Sequence, residues 1–169
     1  MTILEQINVP AEFSDIPFGE KLILWAVRIW VQAIKQEANA QTVLRTGFKR
    51  AGAPDAHPAL DDLMTVIATS AQCSIDVRCP KCPSISPDEQ RLMGAISAWQ
   101  NEVNPYLADS FLCAWIPPSA LRVARTSTAQ LAQALKIAGL SIRPRAPIKQ
   151  EVAREIPKGI EEGRAVTLH

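Results

Sequence analysis

Apolar residues recur along this chain at intervals of three and four, in segments that prolines separate. Proline has no amide to donate, and its ring collides with the preceding turn, so it opens and stops helices. Reading between the prolines predicts a helical series. The first helix runs from about Phe18 to Glu37, with Ser14 or Asp15 as its cap. The second covers Gln41 to Ala51 and closes on Gly52, a residue that tolerates a left-handed C-terminal turn. The third starts at Pro58 and ends near Ala71, with Leu60, Leu63, Met64, Ile67 and Ala68 on one face. The fourth opens on Ser86-Pro87-Asp88-Glu89, where Ser86 and Glu89 form a capping box and Pro87 takes the first helical position. Its buried stripe is Leu92, Met93, Ile96 and Trp99. A fifth runs from Pro105 to about Trp115, and a sixth from near Pro118 to Gly139. Along the sixth, Leu121, Ala124, Thr128, Leu131, Leu135 and Ala138 form a narrow packing seam.

The chain offers no strand series, no internal repeat and no glycine-rich phosphate loop. The pattern predicts an all-α fold, a compact bundle of five or six helices over residues 1–140. Residues 141–169 differ: charges alternate, apolar density falls and prolines recur. That composition predicts a weakly structured tail or a docking arm.

The first helix carries more apolar surface than one buried face requires. On a wheel, Lys21, Arg28, Gln32 and Lys35 share a narrow polar stripe, and the rest of the circumference is apolar. Either this helix lies at the centre of the bundle or part of it meets another chain. In the second case Leu24, Trp25, Trp30 and Val31 are the candidate partner-binding residues, because a monomer seldom leaves such a patch uncovered.

The chemically pointed stretch is Cys-Ser-Ile-Asp-Val-Arg-Cys-Pro-Lys-Cys-Pro, residues 73–83, in the long link between the third and fourth helices. Loops of this length are unusual between bundle helices, and ordering one costs entropy. Pro80 and Pro83 lower that cost by stiffening the unfolded chain. A bound metal would lower it further. Two thiolates spaced Cys-x-x-Cys can reach one tetrahedral ion, and thiolates suit zinc or an iron–sulfur centre. Cys73, Cys79 and Cys82 are therefore candidate ligands, with Cys113 or His57 as a fourth. Helix geometry places Cys113 roughly 12 Å short of the loop and His57 about 20 Å away. The apolar setting Phe-Leu-Cys-Ala-Trp-Ile instead predicts Cys113 as a small core residue. The same Cys-x-x-Cys is also a candidate redox pair. That chemistry needs a stabilised thiolate. Arg78 and Lys81 would lower the thiol pKa values if they are close in space.

Composition narrows the functions. The 169 residues suffice for one domain with a real core. A net charge of +1 provides no overall field toward nucleic acid or an anionic membrane. Arg28 interrupts the greasiest stretch, Leu22–Ile34, which is too short to cross a bilayer. The N-terminus lacks the basic and apolar regions of a secretory signal, so four cysteines point to a reducing, cytoplasmic setting. Only two histidines are present, and no Ser-His-Asp pattern or nucleophile elbow is evident. Residues 128–145 loosely follow a helix-turn-helix, although Gly139 comes late and Pro144 would interrupt the reading helix. Arg143, Arg145 and Lys149 could touch phosphates, but three charges give modest affinity. The leading expectation is a small cytoplasmic interaction or regulatory protein without catalysis, engaging a protein partner or itself. A metal-binding or redox-responsive protein is the alternative, and a DNA-binding regulator the third reading.

Overall fold

Helix starts and stops follow local chemistry in the computed structural model, which describes residues 12–101 and 105–147. Among these residues six α-helices form: α1 (Phe18–Lys35), α2 (Gln41–Arg50), α3 (Ala56–Ser70), α4 (Pro87–Gln100), α5 (Pro105–Leu112) and α6 (Pro118–Ile137). The capping box of α4 is complete. The Glu89 amide donates to Ser86 Oγ at 3.0 Å, and the Ser86 amide donates to Glu89 Oε2 at 2.9 Å. Gly52 and Gly139 close α2 and α6 at φ 77° and 73°, in the left-handed region that a missing Cβ makes accessible. The start of α1 departs from expectation. Pro17 is its N-cap, while Ser14 and Asp15 belong to a short 3-10 turn, Phe13–Asp15. Among the described residues there is no strand, and the bridge between Glu12 and Ser84 is isolated.

The fold is an all-α bundle. Helix α6 lies along α3 and α4, α5 packs on α4, and α1 rests on α2, α3 and α4. Helix α4 is buried on nearly every side, from Leu92 and Met93 to Ser97 and Ala98. Its Gly94 allows the Phe111 ring of α5 to approach so closely that an added Cβ would lie 2.5 Å from Cε1. Helix α1 contributes Ile23, Leu24, Ala26 and Val27 to the core but ends in the open, with Ile34 60% exposed. The polar stripe expected on α1 is corrected at Arg28, which is 1% exposed and faces the loop between α3 and α4. No helix among the described residues is long and apolar enough to cross a membrane.

Beyond α6 the chain has no regular structure up to residue 147, yet it is tied down. Gln100 Nε2 donates to the Leu140 carbonyl at 2.9 Å, and the Ile142 amide donates to Gln100 Oε1 at 2.8 Å. The Ile142 side chain joins the core. The segment then crosses α1, where Arg143 and Arg145 both clasp the buried carboxylate of Glu20, at 3.0 and 2.8 Å. The beginning of the expected tail is thus a strap on the bundle. Lys149 and the rest of that tail lie outside the described residues.

Candidate functional site

The link between α3 and α4 carries three of the four cysteines and is organised from beneath by one ion pair. Arg28 rises from the middle of α1, and Glu89 is the third residue of α4. Arg28 Nε meets Glu89 Oε1 at 2.7 Å, with both side chains fully buried. Arg28 Nη2 completes the fork on Glu89 Oε2 at 2.9 Å. The remaining guanidinium donors turn to the loop backbone: the carbonyls of Cys82 at 2.7 Å, Ser84 at 2.8 Å and Cys79 at 3.4 Å. Glu89 in turn accepts the loop amides of Arg78 at 3.1 Å and Ser86 at 2.9 Å. The Phe13 ring covers the guanidinium, 5.3 Å from its carbon. A buried ion pair is tolerable when every remaining donor and acceptor is matched, and here the loop backbone supplies the matches.

Further contacts fix the path of the loop. The Gln72 amide donates to the Trp115 carbonyl at 2.7 Å, and Asp88 Oδ2 accepts the Asp76 amide at 2.7 Å. Ser86 Oγ donates to the Asp76 carbonyl. The Phe13 amide donates to the Pro83 carbonyl at 2.7 Å. At the tip, the Cys82 amide donates to the Cys79 carbonyl at 3.0 Å and closes the Cys-Pro-Lys-Cys turn.

The thiols sit differently. Cys73 and Cys79 are exposed and Cys82 is half-buried. Cys82 Sγ lies 3.2 Å from Ser84 Oγ. Hydrogen bonds from the Ser84 hydroxyl and amide hold the Cys82 thiol below its ordinary value; burial opposes them, and the charges of Arg28 and Arg78 add to the lowering. Cys73 points away, with its Sγ 3.6 Å from the Ala114 carbonyl. Cys113 is corrected: it is exposed. The chain leaves α5 at Leu112 and turns, so Leu112, Trp115 and Ile116 take the core positions. The separation expected between Cys113 and the loop is also revised, because Gln72 and Cys73 meet Ala114 and Trp115 directly. Straight rods could not reveal that the loop starts by folding against the end of α5. Among the described residues, no three His, Cys, Asp or Glu side chains are gathered so as to hold a metal ion.

The other candidates are placed as follows. Leu24 is fully buried, and Trp30 is buried with its indole N–H donating to Asp61 at 2.7 Å. Trp25 and Val31 are half-buried, with Trp25 lying against Gly47 of α2. Arg143 and Arg145 are occupied by Glu20. His57 Nε2 shares a 2.7 Å hydrogen bond with Gln41 Oε1, and Gln41 Nε2 donates to Asp61 at 2.8 Å. Because Gln41 presents its oxygen to the ring, His57 is the donor there. Burial lowers the His57 pKa, Asp61 opposes that shift, and Arg45 adds to it.

An open surface groove of about 700 Å³ is lined by α3 and α6, with Trp99 in its wall. The residues that organise the site, Arg28, Ser84 and Glu89, were not among the sequence candidates, nor was Glu20, which holds the strap. A signal existed for one: Arg28 interrupts the apolar run from Leu22 to Val31. No family model, curated protein or solved structure shows significant similarity to this chain.

Proposed function

We propose that this protein is a small non-catalytic interaction or regulatory protein that engages a protein partner through the loop between α3 and α4, with the cytoplasm as its setting. The observation that carries this reading is the Arg28–Glu89 pair, which holds the loop by three carbonyls and two amides. Burying two charges is costly, and replacing a pair with apolar side chains often does not destabilise a protein. A pair that instead dictates the course of a surface loop supports a role for that loop's shape. Exposed Cys79 and Lys81 project from its tip. The alternative surfaces have less support. Leu24 and Trp30 on α1 are taken up by the core, and Arg143 and Arg145 by Glu20.

A photo-crosslinking residue at Lys81, expressed in cells of the native host, tests this reading. The expected result is a discrete protein adduct from position 81 that is absent when the same group stands at exposed Val123 on α6. No adduct from position 81, or the same adducts from both positions, would refute the loop as the contact surface.

A further inference from the structure

The Cys-Pro-Lys-Cys turn places two free cysteines at the ends of one closed turn. Its closing hydrogen bond, Cys82 amide to Cys79 carbonyl at 3.0 Å, brings the ends of a four-residue turn together. Such a turn holds its first and last Cα atoms within about 7 Å, and a disulfide spans roughly 4.4–6.8 Å between Cα atoms. Pro80 stands at the second position, where its fixed φ suits the common turn types. Arg28 grips both cysteine carbonyls from below, so the turn is held while both thiols are free. The two thiols also differ in setting. Cys82 is half-buried against the Ser84 hydroxyl, and Cys79 is exposed beside it. Cys73 is directed to the Ala114 carbonyl and Cys113 to the Ser110 carbonyl, so neither belongs to the turn.

We propose that Cys82 is an attacking thiolate and Cys79 its resolving thiol, and that together they exchange electrons with low-molecular-weight disulfides of the glutathione type. In the first step the Cys82 thiolate attacks one sulfur of the small disulfide. A Cys82–S–S–R bond forms and RS⁻ leaves. In the second, Cys79 loses its proton to solvent and attacks Cys82 Sγ, forming the Cys79–Cys82 disulfide and expelling the second RS⁻. The protein dithiol loses two electrons, and the small disulfide is reduced to two thiols. The lowered Cys82 pKa supports the assignment in both directions. It supplies thiolate for attack, and it makes Cys82 the better leaving sulfur when an external thiolate attacks Cys79 during reduction. This inference does not depend on a protein partner and would stand if the crosslinking experiment failed.

The test uses the full reduced chain and oxidised glutathione at neutral pH, with acid quenching, alkylation and peptide mass mapping. The wild type is expected to lose two thiols to a single intramolecular Cys79–Cys82 disulfide, with Cys73 and Cys113 still alkylated. Cys79→Ser should accumulate a one-to-one glutathione adduct on Cys82, and Cys82→Ser should react at least tenfold more slowly. Ser84→Ala provides a readout that a merely structural role would not move. It should raise the inflection of the pH–rate profile for Cys82 alkylation while the Cys73 profile stays put. Equal reactivity at all four thiols, a wild type that stalls as a mixed disulfide, or an inflection unaltered by Ser84→Ala would each overturn the proposal.

Discussion

Arg28→Met removes a guanidinium that Glu89 and three loop carbonyls share. The loss has two parts. Glu89 keeps its two loop amides but is left as a fully buried carboxylate with no cation. Removing one partner of such a pair typically costs about 3–5 kcal/mol. The carbonyls of Cys79, Cys82 and Ser84 lose their donor, but the loop lies near solvent and can swing out to rehydrate them. The global loss should therefore stay near about 3–5 kcal/mol, while loop order falls further. For a chain of this size that corresponds to a drop in melting temperature of about 10 °C. Urea denaturation followed by tryptophan fluorescence measures the global term. Amide hydrogen exchange measures the local one, with protection expected to fall most at Arg78, Cys82 and Ser86. Arg28→Lys keeps a charge but not the planar fork, so it should fall between wild type and methionine. Adding Glu89→Met to Arg28→Met relieves the stranded carboxylate and should recover part of the loss, by about 1–2 kcal/mol. It cannot restore wild-type stability, because the loop carbonyls still lack their donor and the Arg78 and Ser86 amides now lose their acceptor. An Arg28→Met loss below about 1 kcal/mol, or unchanged exchange in the loop, would show that the pair does not organise the loop.

Four further outcomes follow from the geometry. Gly94→Ala should destabilise by about 1–3 kcal/mol despite alanine's better helix propensity, because the new Cβ meets a Phe111 ring that is 1% exposed and cannot move aside. Gly47→Ala meets the half-buried Trp25 ring, which can give way, so a urea melt should show a smaller loss there. His57 favours its neutral form in the fold, with a pKa below 6.5, so the unfolded chain binds its proton first as pH falls. Stability should decline from about pH 6.5 downward to the folded value, and urea midpoints of His57→Gln should show a shallower slope over that window. Burial raises the Glu20 carboxyl, but hydrogen bonds from Arg143 and Arg145 outweigh it and leave the pKa below 4.5. Its contribution is present above that ordinary value and fades as pH falls through the folded one. Glu20→Gln should weaken this acid dependence, expose the strap to exchange at Ile142 and Arg143, and speed tryptic cleavage after Arg145.

The six helices were legible because their signals are local. A capping serine with a glutamate three residues on, a proline at a first turn and a glycine beyond a last one act through neighbouring backbone, wherever the helix later packs. Periodicity likewise identified the seam of α6 and the burial of Leu92, Met93 and Ile96 on α4, since a face rich in leucine and isoleucine must be covered by something. It did not show that α4 is buried on nearly every side or that Trp99 is only half-buried. What covers such a face is not local. On a wheel Arg28 falls only in a narrow polar stripe, because a wheel records residues on the same helix, and its partner Glu89 lies 61 positions away. Cys113 was read as core because its neighbours are apolar, but the turn after Leu112 rotates it outward. Glu20 drew no notice until the chain returned from α6 with two arginines for it.

Sequence alone therefore settled the order and approximate extent of the helices, the all-α class and the presence of a cysteine-bearing link, all consequences of short-range sterics and hydrophobic spacing. Tertiary structure decided which charges are buried together, which thiol stands beside a hydroxyl and how the link is held. Those outcomes depend on Coulombic and hydrogen-bond geometry between segments far apart in the chain, and they take effect only when packing has removed the water between them.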